Sequence, residues 1–247
     1  MKGVPSDYYV RMDAAEDRHW WHRGMCELEL ALLRGRLGLD AHLLDAGCGT
    51  GGFLRYLLDR RAIGSATGVD VSPEAIELAR ERVPEAELSI ASVTELPFED
   101  ETFDAAVLND VLQHVREDDV ERALAELRRV LRQGAALAMR TGGARRERRE
   151  RADWRVYDRR TLRGELERSG FRVERVTYAN VVGSLAAAGA RRVPRAPTEE
   201  RCGIPTGQSG LARVAGSVLL GAEARLLART QVTLPYGHTL LALAARP

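Results

Sequence analysis

From residue 42 onward the chain alternates short unbroken apolar runs with longer stretches whose apolar positions recur every three or four residues. Unbroken runs suit strands buried on both faces, and the helical period suits helices packed against them. The runs predict strands at 42–46, 66–70, 87–91, 103–108, 135–140, 171–178 and 239–244. The periodic stretches predict helices at 51–61, from Ser72 onward, at 117–132 and at 159–169. In the second of these, Ser72 is the cap, Pro73 takes the first helical position and Ala75, Ile76, Leu78 and Ala79 supply the apolar face. Val120, Leu124, Leu127, Val130 and Leu131 are expected to face the sheet from the third. Residues 6–38 read as two further helices. Strand–helix alternation of this kind predicts a parallel sheet with helices on both faces.

Residues 180–234 break the alternation with alanine-rich helical pieces and a Pro/Gly-rich stretch from 194 to 210. The expected organisation is therefore an N-terminal helical lid (1–40), an α/β core (41–179), a helical insertion or cap (180–234) and a last core strand (235–247). Parallel sheets of this type take ligands beyond the carboxyl ends of their strands. Asp45, Asp70, Ser92 and Asn109 all stand at predicted strand ends, so four polar groups converge on one edge.

The first strand runs into Asp45-Ala46-Gly47-Cys48-Gly49-Thr50-Gly51-Gly52 and then a helix. A turn without side chains lets a ligand lie against the backbone, and the helix start adds unpaired N–H groups and partial positive charge. Gly47, Gly49 and Gly52 satisfy the dinucleotide pattern G-x-G-x-x-G, while Asp45, Gly47, Gly49 and Gly51 satisfy D-x-G-x-G-x-G. The acid before the first glycine separates the two. It repels a pyrophosphate and attracts a ligand that carries an ammonium and a sulfonium.

Composition narrows the classes. The chain has 247 residues, 45% hydrophobic and 30% charged, with a formal net charge of +1. That reads as a globular protein with one sizeable core and no global drive toward nucleic acid or an anionic membrane. Cys26, Cys48 and Cys202 are too few and too scattered for a disulfide framework or a zinc site. No apolar run reaches the roughly 18 residues of a spanning helix, and residues around Asp7, Asp13 and Asp17 lack a secretory pattern. A cytoplasmic protein is the expectation, and nothing in the residues sets an oligomeric state. The run Arg145-Arg146-Glu147-Arg148-Arg149-Glu150-Arg151 reads as a solvated face of alternating charge.

The turn resembles motif I of the class I S-adenosylmethionine-dependent methyltransferases. Gly68-Val69-Asp70-Val71-Ser72 resembles their motif II, and Asn109-Asp110-Val111-Leu112-Gln113-His114-Val115 the motif after their fourth strand. His19-Trp20-Trp21-His22-Arg23 and Leu234-Pro235-Tyr236-Gly237-His238 are similar to segments of a bacterial subgroup with an N-terminal His-Trp-Trp-x-Arg. The resemblance implies a Rossmann-like, seven-stranded, mostly parallel sheet with an antiparallel last strand. It also implies S-adenosyl-L-methionine as cofactor, S-adenosyl-L-homocysteine as product, and no metal.

Carried over residue by residue, it implies that the backbone of Gly47, Cys48, Gly49 and Gly51 holds the methionine moiety, with Asp45 organising the turn. Asp70 then meets the ribose hydroxyls with Val71 beside it, Ser92 and Val93 lie at the adenine, and Asn109 offers its carbonyl to the amino group. Trp20, Trp21 and Arg23 close over the cofactor, Arg23 near its carboxylate. Two positions depart from the pattern. Ser92 stands where an Asp is common, which costs about 1 kcal/mol. Asp153-Trp154-Arg155-Val156-Tyr157 stands where His-x-Arg-x-Tyr is common.

The implied activity is methyl transfer to a small molecule, with an oxygen acceptor favoured. His114 is the candidate base, and Asp110 and His19 are the further catalytic candidates. Competing readings are a protein of this fold that binds the cofactor without transferring methyl (a cyclase, for instance), an RNA or protein methyltransferase resting on residues 145–151, and a nicotinamide-dependent oxidoreductase.

Overall fold

The computed structural model describes residues 8–16, 19–142, 155–181 and 210–247. The charge run at 145–151, Asp153-Trp154, Cys202 and most of the Pro/Gly-rich stretch lie outside the described residues. The described helices are α1 (Tyr8–Glu16), α2 (Trp20–Leu32), α3 (Gly52–Asp59), α4 (Pro73–Arg82), α5 (Val120–Val130), α6 (Arg159–Arg168) and α7 (Gly210–Arg229). The strands are β1 (His42–Ala46), β2 (Ser65–Asp70), β3 (Glu87–Ile90), β4 (Phe103–Asn109), β5 (Leu131–Gly142), β6 (Arg172–Ala179) and β7 (Thr239–Ala245).

They form one seven-stranded sheet in the order β3-β2-β1-β4-β5-β7-β6. β1 is parallel to β2 and β4, and β4 to β5, while β7 runs antiparallel to both β5 and β6. The order reverses between β1 and β4, so the crevice that takes ligands in such sheets opens at Ala46 and Asn109.

Alternate residues of the central strands divide between two cores. Leu44, Ala106, Leu108, Leu137 and Met139 pack with Leu124 and Leu127 of α5 and Leu162 and Leu166 of α6. Leu43, Ala105, Val107, Ala136 and Ala138 pack with Leu28 of α2, Leu54 and Leu57 of α3 and Leu220 of α7. This two-sided burial is why the strands read as unbroken apolar runs. Ser72 caps α4, its hydroxyl accepting from the Ala75 N–H at 3.2 Å, with Pro73 in the first turn, as the sequence implies.

Two boundaries within the α/β core differ from the sequence reading by three residues or more. β5 begins at Leu131 rather than 135, because Gly134 (φ 76°) is absorbed as an irregularity and its N–H is satisfied by the Arg246 carbonyl. The helix expected from 117 starts as a 3-10 turn at Glu117–Asp119, and α5 proper opens at Val120, its first buried position. α7, from the segment expected to form a cap, lies on α2: Leu220, Ala224 and Leu227 join its core face, and the Trp20 ring fills the space over Gly216. No helix among the described residues is long and apolar enough to cross a membrane.

Candidate functional site

The glycine turn is built by hydrogen bonds to the neighbouring strand. The N–H groups of Gly47 and Cys48 donate to the Val69 carbonyl at 2.7 and 2.9 Å, and the Gly49 N–H donates to Asp70 Oδ2 at 3.0 Å. Asp70 Oδ1 accepts from the Ser72 N–H at 2.9 Å. Asp70 therefore ties the β1–α3 turn to the start of α4. Burial pushes its pKa up, and the N–H groups of Ser72, Gly49 and Val71 oppose that. The carboxylate still has acceptor capacity left for a further donor.

A cavity of about 310 Å³ opens beside this turn, among α1, α2, α3 and the ends of β1, β4 and β5. Asp45, Gly47, Cys48, Asn109 and Arg140 line its inner end, and Arg23, Tyr56 and Arg60 line a more outward part. Asp45 is 2% exposed, and its Oδ1 has no hydrogen-bond partner. Burial first, and the nearby Glu29 second, push its pKa well above the usual carboxylate range. Asn109 Oδ1 is likewise buried without a partner. Two buried acceptors without donors are costly unless an occupant supplies the donors. The pair fits a ligand that brings a cationic N–H group, so the residues present pass the test that the implied cofactor sets.

Sequence reading missed the charged groups behind this wall. Glu29 of α2 is 1% exposed; its Oε2 accepts from Asn109 Nδ2 at 2.7 Å and its Oε1 from Arg140 Nη1. Arg140 of β5 also donates through Nε to Asp110 Oδ2 at 2.7 Å, and its guanidinium lies 5.9 Å from the Trp21 ring centroid. Burial works against the Arg140 charge, but Asp110 and Glu29 hold it on. Burial pushes the Glu29 pKa up, and Arg140 opposes that by holding the carboxylate charged. A lone Glu on an otherwise apolar helix face was the available signal; its partners lie 80 and 111 residues further on.

Placement separates the remaining candidates. Asp110, a catalytic candidate, pairs through Oδ2 with Arg140. His19 caps α2, its Nδ1 accepting from the Trp21 N–H at 3.2 Å, so it starts a helix and is not placed as a base. Partial burial holds the His114 pKa below the usual histidine range, with Asp110 opposing. Ser92 spends its hydroxyl on Thr94, accepting from that residue's N–H at 3.2 Å. Val93 packs in the core, while Val71 stands 45% exposed. Trp20 packs on α7 and Trp21 sits edge-on to His22, so neither lines the cavity, whereas Arg23 does. Gly51 (φ 81°) caps α3 in the left-handed region that glycine tolerates.

The start of α3, expected to meet a polar part of the ligand, is met instead by the chain itself. Glu16 of α1 lies over Gly52 and accepts from Thr50 Oγ1 at 2.6 Å, and Met12 lies over Gly49. Arg82 fastens α1 through Asp13 at 2.6 Å and Glu16 at 3.8 Å. An acid at a helix N-terminus is favourable, and its source 36 residues upstream of Gly52 was not legible locally.

Residues 44–139 match the family described as "Methyltransferase domain". The demethylmenaquinone methyltransferase of Lactiplantibacillus plantarum is 33% identical over 127 residues, covering 49% of this chain and 50% of that protein. The malonyl-[acyl-carrier protein] O-methyltransferase of Pectobacterium atrosepticum is 38% identical over 112 residues, covering 45% and 42%. The chain thus spans half or less of the length of these curated relatives. Among solved structures, a chain from the complex between the Haloferax volcanii Trm112 methyltransferase activator and a methyltransferase superposes with a TM-score of 0.63 at 20% identity, covering 99% of this chain and 100% of that one. At that identity the likeness is one of fold.

Proposed function

We propose that the chain, whose residues 44–139 match a methyltransferase domain, is a class I S-adenosylmethionine-dependent methyltransferase that transfers a methyl group to a small-molecule acceptor, an oxygen being favoured. The observation that carries this is the pair of buried, unpartnered acceptors, Asp45 Oδ1 and Asn109 Oδ1, on two residues that line one cavity beside the glycine turn. A pyrophosphate would meet a carboxylate there, whereas an ammonium meets two acceptors. The names of the relatives, one a quinone methyltransferase and one an O-methyltransferase, support the acceptor class.

Bound S-adenosylmethionine supplies a methyl group already activated by its sulfonium. What the chain must add is binding, alignment and exclusion of water. Asp45 and Asn109 accept from the cofactor's ammonium, and Arg23 at the cavity mouth faces its carboxylate. Asp70 uses its remaining lone pairs on the ribose hydroxyls. Ser92 serves the adenine only by sharing a hydroxyl already committed to Thr94. His114, its pKa held down by partial burial, takes the proton from an acceptor hydroxyl.

Calorimetry with S-adenosylhomocysteine tests the reading directly, with labelled methyl transfer to candidate metabolites as the second measurement. One-site binding and a labelled product are expected. Binding of a pyridine dinucleotide and of neither sulfur compound would overturn it. His114→Ala is expected to keep cofactor affinity and to lose about 10²- to 10⁴-fold in turnover. The wild-type rate should fall as the pH drops through the lowered His114 pKa, because the protonated ring cannot accept. A variant with a wild-type pH–rate profile would remove His114 from the reaction.

A further inference from the structure

We propose that Glu29 is the positioning residue for cofactor binding: it fixes the Asn109 amide so that Oδ1, and not Nδ2, is the end left to meet the cofactor. The inference rests on the reading that the cavity holds the ammonium of S-adenosylmethionine. An asparagine amide has an accepting and a donating end of nearly the same shape, and the surrounding hydrogen bonds decide which end points where. Here Glu29 decides. Its Oε2 accepts from Asn109 Nδ2 at 2.7 Å. With Arg140 Nη1 donating to its other oxygen, Glu29 is held as a carboxylate, which cannot donate, so the reversed amide would set two acceptors against each other inside the protein.

Glu29 is itself held. Arg140 Nη1 donates to its other oxygen, and Arg140 is braced in turn by Asp110 at 2.7 Å. The groups facing Glu29 are therefore Arg140 from β5, Asn109 and Asp110 from the end of β4, and Asp45 from β1, whose raised pKa registers the Glu29 charge. The chain Asp110–Arg140–Glu29–Asn109 crosses from the sheet to α2 and back to the sheet. It transmits the seating of α2 to one oxygen of Asn109. Asn109 supplies the contact, and Glu29 determines its polarity.

The inference has a specific test. Glu29→Gln replaces one carboxylate oxygen with an NH₂ group. With Arg140 on one side and Asn109 on the other, the new amide keeps its oxygen on the guanidinium and turns its NH₂ toward Asn109. The Asn109 amide then reverses and presents a donor to a cation. S-adenosylhomocysteine affinity, read by calorimetry, is expected to fall at least tenfold while thermal unfolding stays cooperative. The exchange variant Glu29→Gln/Asn109→Asp has the wild-type net charge. Its carboxylate at 109 accepts from the new amide with one oxygen and leaves the other to meet the cofactor. Affinity within about threefold of wild type is expected there, a rescue that a merely structural role for Glu29 does not produce.

Wild-type protein that fails to bind S-adenosylhomocysteine overturns the proposed function before any variant is made. Wild-type binding with unchanged affinity in a folded Glu29→Gln protein, or an exchange variant no better than the single, overturns the positioning role alone. Should the single variant not unfold cooperatively, the exchange variant decides. Near wild-type affinity supports the assignment, and loss of binding or of folding overturns it.

Discussion

Asp70→Ala is expected to weaken S-adenosylhomocysteine binding by about 10- to 100-fold. Two losses combine. The proposed contact with the ribose disappears, and so does the carboxylate that holds the Gly49 N–H at 3.0 Å and the Ser72 N–H at 2.9 Å. The second loss acts on the site before any ligand arrives. Gly49 is left without the bond that fixes the β1–α3 turn, and Ser72 without the one that sets the start of α4. Each unsatisfied buried N–H costs about 1–3 kcal/mol, so the variant should also melt at a lower temperature. Calorimetry and thermal unfolding on the same preparation separate the two effects. Unchanged affinity would remove Asp70 from the cofactor site and leave it as the tie between turn and helix.

Gly47→Ala carries the largest expected stability effect. Gly47 sits at φ 91°, where a side chain is strained, and its missing Cβ leaves room that Val111 Cγ2 already occupies. Strain of this kind costs about 1–3 kcal/mol and overpacking a similar amount, so a loss of about 2–5 kcal/mol is expected. Denaturant unfolding measures it. Adding Val111→Ala should return the packing share and leave the backbone share, so the double variant should unfold at an intermediate midpoint. A single variant with the wild-type midpoint would mean that the turn relaxes at no cost, contrary to the contacts that hold Gly47 and Cys48 to Val69.

Local signals accounted for most of the framework. The glycines at 47, 49 and 51 and Ser72-Pro73 each act within a few residues of themselves, through turn geometry and capping. The structure places each of them where those rules put it. The strand expected from 135 begins earlier for a non-local reason: Leu131 pairs with Phe103 of β4 on the far side of Gly134. Asp110 and His19 read as chemistry because their residue types can do chemistry. In the structure Asp110 pairs with Arg140, and His19 accepts from the Trp21 N–H.

By itself, then, the sequence determined the alternation of strands and helices, the antiparallel end of the sheet through resemblance, and the acid-and-glycine turn with Asn109 at the rim. Period, backbone freedom and capping are properties of neighbouring residues, and they survive being read one stretch at a time. The tertiary structure alone decided that Glu29 and Arg140 stand behind Asn109, that Glu16 covers the start of α3, and that α7 lies on α2. Those contacts join residues that are far apart in the chain. Their energies come from burial and charge pairing, which exist only once the helices have packed against the sheet.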